Sequence, residues 1–164
     1  MNVLAKHLSV SHVALDLDIT SKKRLFEQIG LIFENEDKVA RAQVFDALFA
    51  REKLGSTGLG FGVAIPHGRI KNLRDTLAVF IRAKAGIPFE APDGVAVRLV
   101  FAMLVPEHAT EQHLNLLSEL AQMFSDGELR VALEQEPDPI VVHRLLTEWS
   151  PFPLHAQVKR TAAV

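Results

Sequence analysis

A nearly unbroken apolar run at residues 95–105 is the sequence feature that most constrains the fold. From Val97 to Val105, only Arg98 interrupts the apolar side chains. A helix or strand with one face in water would instead alternate apolar and polar residues at a fixed period. The run therefore predicts a strand covered on both faces, as occurs where helices pack on each side of a sheet.

Further amphipathic and apolar segments surround this strand. Leu25, Ile29 and Phe33 recur at helical spacing, and Thr20 or Ser21 is placed to cap that helix. Helices are predicted at residues 22–36, 41–54, 111–125 and 139–149, and strands at 12–17, 63–65, 76–83 and 95–105. This order predicts an α/β fold in which helices cover both faces of the sheet.

Glycine, threonine and proline signals set the expected helix ends. Gly55 is predicted to end the second helix, Thr110 to cap the third, and Asp138 with Pro139 to begin the last. The 164 residues fit a single compact domain. We expect that domain to span residues 1–150 and residues 151–164 to form a flexible C-terminal tail.

Composition excludes several classes of function. The chain has no cysteine, so disulfide and thiol chemistry are absent. Its net charge of −2 gives no basic field for nucleic acid. No run approaches the roughly 18 apolar residues of a membrane span, and the first residues lack a signal-peptide core. The sequence therefore predicts a cytoplasmic protein without membrane insertion.

A glycine-rich segment leads to the most suggestive residue, His67. Residues 55–62 hold four of the nine glycines and predict tight turns, which do not match a nucleotide-binding loop. Pro66 and Gly68 flank His67 and would present its imidazole at a strand end. Backbone N–H groups in such turns can bind anions, which suits a histidine that handles phosphate. An ordinary surface histidine in a turn fits the spacing equally well.

His113 and Arg51 are the next candidates. Helical periodicity puts His113 in an apolar stripe, in the first turn of its helix, where the neutral imidazole is favoured. Arg51 lies on the apolar side of its helix and could aim a guanidinium at phosphate or simply cover the core. A zinc site of His67, His108 and His113 is conceivable, although no ligand spacing supports it. Glu52 and the remaining histidines are interpreted as solvated surface groups: His7, His12, His143 and His155.

Three segments together resemble a known family. They are residues 51–58, REKLGSTG, residues 59–68, LGFGVAIPHG, and the later LVP at 104–106 with His113 and Leu114. The chain resembles the fructose/mannitol-type enzyme IIA domains of the bacterial phosphotransferase system over roughly residues 5–150. Among them it is most similar to the stand-alone nitrogen-regulatory members.

The resemblance implies a mixed sheet flanked by helices and a phosphorylated histidine. His67 would carry the phosphoryl group, His113 would assist at the same site, and Arg51 would lie close by. Backbone N–H groups around Ser56 and Thr57 are weaker candidates for phosphoryl binding. The donor would be a phosphorylated histidine phosphocarrier protein (HPr/NPr-like), so neither a metal nor a cofactor is expected.

Three functions remain open from the sequence. The first is a nitrogen or carbon regulatory phosphocarrier that acts on target proteins. The second is a sugar-transport IIA component, which would need a separate IIB protein because this chain has no cysteine acceptor. The third is a histidine-ligated metal hydrolase. For a phosphocarrier, we expect Leu59, Phe61 and Leu114 to form an apolar rim where the donor docks.

Overall fold

Six strands and five α-helices occur in the computed structural model, which describes residues 1–151. Short 3-10 helices at Val3–Lys6 and Val10–His12 precede them. The strands are β1 (Val13–Leu17), β2 (Gly58–Gly60), β3 (Val63–Ala64), β4 (His67–Ile70), β5 (Leu77–Ile87) and β6 (Val97–Pro106). The helices are α1 (Lys22–Asp37), α2 (Arg41–Glu52), α3 (Thr110–Phe124), α4 (Gly127–Gln135) and α5 (Pro139–Thr147).

The strands form one mixed sheet centred on β5 and β6. The order is β1-β5-β6-β3-β2, and β4 also pairs with β6. β5 and β6 are antiparallel, whereas β3 and β4 both run parallel to β6. They follow one another along the same edge of β6, with Val63 opposite Leu99 and His67 opposite Met103. The expected mixed sheet is confirmed.

Helices cover both faces of this sheet, as the apolar run in β6 predicts. Phe80 and Phe101 are fully buried in a core shared with α3, α4 and α5. Their neighbours Ile81 and Val100 point the other way into a core shared with α1 and α2. Each strand residue thus serves one of two cores, because successive side chains alternate between the faces.

Several predicted boundaries hold and others shift. The Ser21 side chain accepts the Arg24 N–H at the start of α1, and Asp138 caps α5 in the same way. Ala109, not Thr110, precedes α3, so the helix begins one residue early without a side-chain cap. α2 ends at Glu52 with Lys53 as its C-cap, so Gly55 lies beyond the helix end.

Three elements were not expected from the sequence. β2 lies within the glycine-rich segment, for which only tight turns were predicted, and it pairs antiparallel with β3. β4 follows Pro66 directly, and it forms because the segment finds hydrogen-bond partners along β6. α4 begins after Asp126, whose carboxylate accepts the backbone N–H groups of Glu128 and Leu129. The tail expected at residues 151–164 lies, from residue 152 onward, outside the described residues. Within residues 1–151, no helix is long and apolar enough to cross a membrane.

Candidate active site

β4 fixes the orientation of the His67 imidazole. Met103 donates its backbone N–H to the Pro66 carbonyl at 3.0 Å, so the Pro-His peptide is held against β6. The Nδ1 atom of His67 lies 2.8 Å from the Ile65 carbonyl oxygen. A carbonyl oxygen only accepts hydrogen bonds, so Nδ1 carries the proton and Nε2 has the lone pair. Nε2 is therefore the nitrogen of His67 whose lone pair could attack an electrophile.

His113 lies beside His67, as the resemblance implies. It is the fourth residue of α3, and its ring centroid is 4.9 Å from that of His67. The two side chains are only 7% and 8% exposed for His67 and His113, respectively. Nδ1 of His113 is buried without a hydrogen-bond partner among the described residues. Two histidines from the sheet edge and from α3 thus share one partly enclosed site.

Gly68 lets α2 approach β4 closely and so brings Arg51 to the site. A Cβ atom on Gly68 would lie 2.8 Å from both the Cβ and the carbonyl carbon of Ala47 in α2. Arg51 follows Ala47 by about one helical turn, and its Nη1 donates to the Gly55 carbonyl at 2.8 Å. The absence of a side chain at Gly68 is therefore a packing requirement of the site.

These residues line an open cleft of about 500 Å³ between α2, β4 and α3. Its lining consists of Ala47, Ala50, Arg51, Leu54, His67, Gly68, Arg69, His113, Leu114 and Leu117. Arg69 was missed from the sequence, and its Nη1 donates to the Glu107 carbonyl at 2.7 Å. Strand alternation could have found it, because residues two apart in a strand share a face.

The cleft keeps both imidazoles neutral near pH 7. Burial is the main cause that lowers the pKa of His67, and the Arg51 and Arg69 charges lower it further. The Ile65 hydrogen bond and Glu52 act in the opposite direction. Burial, then His67, Arg69 and Arg51 lower the pKa of His113 to about 4. A neutral imidazole is required for a nucleophile, whose lone pair must be available.

Ser56 and Thr57 do not line this cleft, and both hydroxyl groups and the Thr57 N–H bond elsewhere within the described chain. The Ser56 hydroxyl donates to the Phe89 carbonyl at 2.6 Å. The Thr57 N–H and hydroxyl both donate to the Glu52 carboxylate, at 3.1 and 2.6 Å. Phosphoryl binding by their backbone groups stays a prediction that this arrangement does not favour.

Glu52 is buried, so its interpretation as a solvated charge is wrong. Lys22 in α1 lies 2.9 Å from the Glu52 carboxylate and also points at the Phe89 carbonyl. Together with Thr57, these contacts tie the glycine-rich segment to both α1 and α2. The burial of Glu52 was missed because its charged partner, Lys22, lies 30 residues away in the sequence.

The other histidines also differ from the surface role expected for them. His12 is buried, and its Nε2 lies 2.6 Å from the Asp37 carboxylate. The rings of His7 and His143 bond the backbone carbonyls of Thr76 and Leu8, respectively. Each joins segments that are remote in sequence, so each has a structural role. His155 lies outside the described residues.

Of the three side chains expected to form an apolar docking rim, Leu114 lines the cleft, whereas Leu59 and Phe61 do not. Leu114 and Leu54 are 60% and 84% exposed beside the cleft. Leu59 packs partly against the core. Phe61 is 65% exposed but belongs to the turn before Val63. Val63 pairs with Leu99 of β6, four residues before Met103, which pairs with His67. At about 3.3 Å per residue, the offset is roughly 13 Å, so Phe61 lies off the rim.

The structure gives less support to two alternatives, a second cleft and a metal site, than to the cleft of the histidine pair. A cleft of about 340 Å³ lies between α4 and α5, and its lining is mainly apolar, with Leu129, Val141 and Trp149. It contains neither member of the histidine pair. Within residues 1–151, no group of three or more metal-ligating side chains is placed to hold an ion. His108 is exposed and does not line the cleft of the histidine pair, so the arrangement gives the metal-hydrolase alternative no support.

Comparison with known proteins identifies the family of the chain. Residues 6–149 match the family model "Phosphoenolpyruvate-dependent sugar phosphotransferase system, EIIA 2", and the chain belongs to that family. The chain is 40% identical over 129 residues to the nitrogen regulatory protein of Pseudomonas aeruginosa. That match covers 78% of this chain and 84% of the relative.

Solved structures show the same fold. The crystal structure of nitrogen regulatory protein IIA-Ntr from Neisseria meningitidis superposes with a TM-score of 0.85 at 48% identity. The superposition covers 89% of this chain and all of that one. The complex of enzyme IIAMTL and phosphorylated enzyme IIBMTL from Escherichia coli gives a TM-score of 0.72 at 21% identity, over 87% and 98% of the chains. The resemblance found from the sequence is confirmed at the level of family.

Proposed function

We propose that this chain is a regulatory phosphocarrier that accepts a phosphoryl group on Nε2 of His67 from a phosphorylated histidine carrier protein. The observation that carries the proposal is the Nδ1 bond of His67 to the Ile65 carbonyl, which leaves Nε2 as the nucleophile in a cleft with His113 and Arg51. The match over residues 6–149 supports a phosphocarrier domain at 1–150, working in the cytoplasm with its donor.

Transfer exchanges one P–N bond for another. The Nε2 lone pair of His67 attacks phosphorus while the P–N bond to the donor imidazole breaks, and that electron pair returns to the donor nitrogen. Charge on the three transferring oxygens is spread in a loose transition state, so the site acts by positioning and neutralisation. The proton stays on Nδ1 throughout, and the Ile65 carbonyl stabilises the positive charge that develops on the ring.

His113 is the hydrogen-bond donor to the phosphoryl group in this mechanism. Its Nδ1 is buried and unpartnered within the described chain. Buried N–H groups without an acceptor are rarer than under-satisfied acceptors. The proton of the neutral ring therefore sits on Nε2, where it can donate to a phosphoryl oxygen. Because the pKa of His113 is about 4, the ring does not compete with His67 for protons at pH 7.

Exposed leucines beside the cleft would receive the donor. Leu54 and Leu114 offer an apolar surface on either side of the histidine pair. A transient complex of this kind needs only a modest buried area. The Leu54→Ser and Leu114→Ser variants should slow transfer without loss of stability, since both side chains already face water.

Intact mass spectrometry tests the proposal. The protein is incubated with phosphoenolpyruvate, the general phosphotransferase enzyme and its histidine carrier, and a gain of one acid-labile phosphoryl group is expected. His67→Ala should abolish the gain, and His108→Ala, which removes an exposed histidine outside the cleft lining, should not. Label on a folded His67→Ala variant would overturn the assignment.

Onward transfer to a IIB protein is the second candidate. The fold relative from Escherichia coli forms a complex with phosphorylated IIBMTL, whereas the relatives from Pseudomonas aeruginosa and Neisseria meningitidis are nitrogen regulatory proteins. The higher identity of the latter two favours regulation of target proteins. Retention of the phosphoryl group after incubation with purified IIB proteins is expected; rapid transfer would favour transport.

A further inference from the structure

We propose that Arg69 is a second phosphoryl-binding guanidinium, which leaves the Glu107 carbonyl and binds the phosphoryl group during its transfer to His67 and afterwards. This inference rests on the proposed function. It adds a residue to the site and links the phosphorylation state to the loop between β6 and α3.

Strand geometry puts Arg69 on the same side of β4 as His67. The strand pairs with β6 in regular register from His67 to Ile70, so its side chains alternate between the two faces. Ile70 points into the core under α1 and α2, and Gly68 faces Ala47 of α2. His67 and Arg69 therefore share the opposite face, about 6.6 Å apart along the strand. Both line the same cleft.

The charge of Arg69 acts on both imidazoles. It lowers the pKa of His67 and that of His113, alongside Arg51 in each case. A cation placed to disfavour protonation of the two rings is also placed to attract a doubly charged phosphoryl group between them. Arg51 and Arg69 approach from α2 and β4, respectively, so the two guanidinium groups would hold the phosphoryl oxygens from different elements.

The present partner of Arg69 is one that a phosphoryl group can displace. Arg69 is exposed, and its Nη1 donates to the neutral backbone carbonyl of Glu107 at 2.7 Å. A phosphoryl group attracts the guanidinium by its opposite charge and can accept two parallel hydrogen bonds from it, whereas the carbonyl is neutral. Glu107 lies one residue beyond β6 and shortly before α3, which carries His113. Release of its carbonyl would alter the loop at residues 107–109.

Single-turnover phosphotransfer to Arg69→Gln provides the test, with Arg74→Gln as the matched control. Arg74 is also exposed and of equal charge, but it does not line the cleft. Loss of one hydrogen bond to a charged group should slow transfer to Arg69→Gln about tenfold. Arg69→Lys should recover part of the rate, and Arg74→Gln should match the wild type. The amide NMR signals of residues 107–109 should shift on phosphorylation in the wild type and much less in Arg69→Gln.

The outcomes separate the two proposals. Phosphorylated wild type with equal rates and equal loop shifts in Arg69→Gln and Arg74→Gln would refute the role of Arg69 and leave His67 as the acceptor. A wild type that takes up no phosphoryl group would refute the proposed function and the role of Arg69 with it. Melting temperatures of the two variants show whether a slower rate comes from lost stability.

Discussion

Substitution of Gly68 by alanine tests whether the packing of α2 on β4 builds the site. The new Cβ would lie 2.8 Å from two atoms of Ala47, where ordinary contacts begin at 3.4 Å, so α2 would have to move by about 0.6 Å to restore ordinary contact. Overpacking of this kind costs about 1–3 kcal/mol. The displaced helix carries Arg51, and a misplacement near 1 Å can reduce a rate by roughly 10²-fold.

Gly127→Ala is the matched control for this substitution. A Cβ on Gly127 would approach only the Arg130 Nη2 atom, at 3.5 Å, and the residue opens α4 away from the cleft. For a domain of this size, each kcal/mol lowers the melting temperature by about 2–4 °C. Gly68→Ala should therefore melt several degrees lower and accept phosphoryl groups more slowly than Gly127→Ala. Equal melting temperatures and equal transfer rates in the two variants would refute the packing argument.

Three further predictions concern the histidine pair and its support. Loss of the His113 donor in His113→Ala should slow transfer about 10²–10³-fold, and His113→Gln should recover part of the rate. Lower melting temperatures with unchanged transfer rates of the folded protein would instead show that His113 only stabilises the core. Because the pKa values of His67 and His113 are lowered in the folded protein, the unfolded chain binds more protons than the folded one below about pH 6.5. The free energy of unfolding should therefore be highest above that pH and fall toward pH 4. Urea unfolding of His113→Phe should show a weaker pH dependence than that of the wild type. Glu52→Leu leaves Lys22 partly buried without its charged partner, and the free energy of unfolding in urea should fall by roughly 3 kcal/mol. A much smaller decrease would contradict a stabilising role for this ion pair.

The sheet and most helix starts follow from local patterns. The apolar run of β6 predicts its central position because only a strand between two helical layers avoids water on both sides. Ser21 and Asp138 cap their helices with their own side chains, which is a local interaction that the sequence displays. β4 was missed because its four residues have little strand character apart from their pairing with β6.

The site was predictable to the extent that its motif was local. His67 between a proline and a glycine is visible in the sequence, and its closeness to His113 was implied only by the family resemblance. The burial of Glu52 could not be anticipated, because its charged partner Lys22 belongs to another helix, 30 residues away in the sequence. Arg69 required the recognition of β4 as a strand, because only strand alternation puts it beside His67.

The most direct measurement of the central claim is NMR of the histidine ring nitrogens before and after phosphotransfer from the carrier protein. The bond between His67 Nδ1 and the Ile65 carbonyl predicts that the phosphoryl group is found on Nε2 of His67, while Nδ1 keeps its proton. Phosphorus on Nδ1 of His67, or on any residue other than His67, would contradict the account.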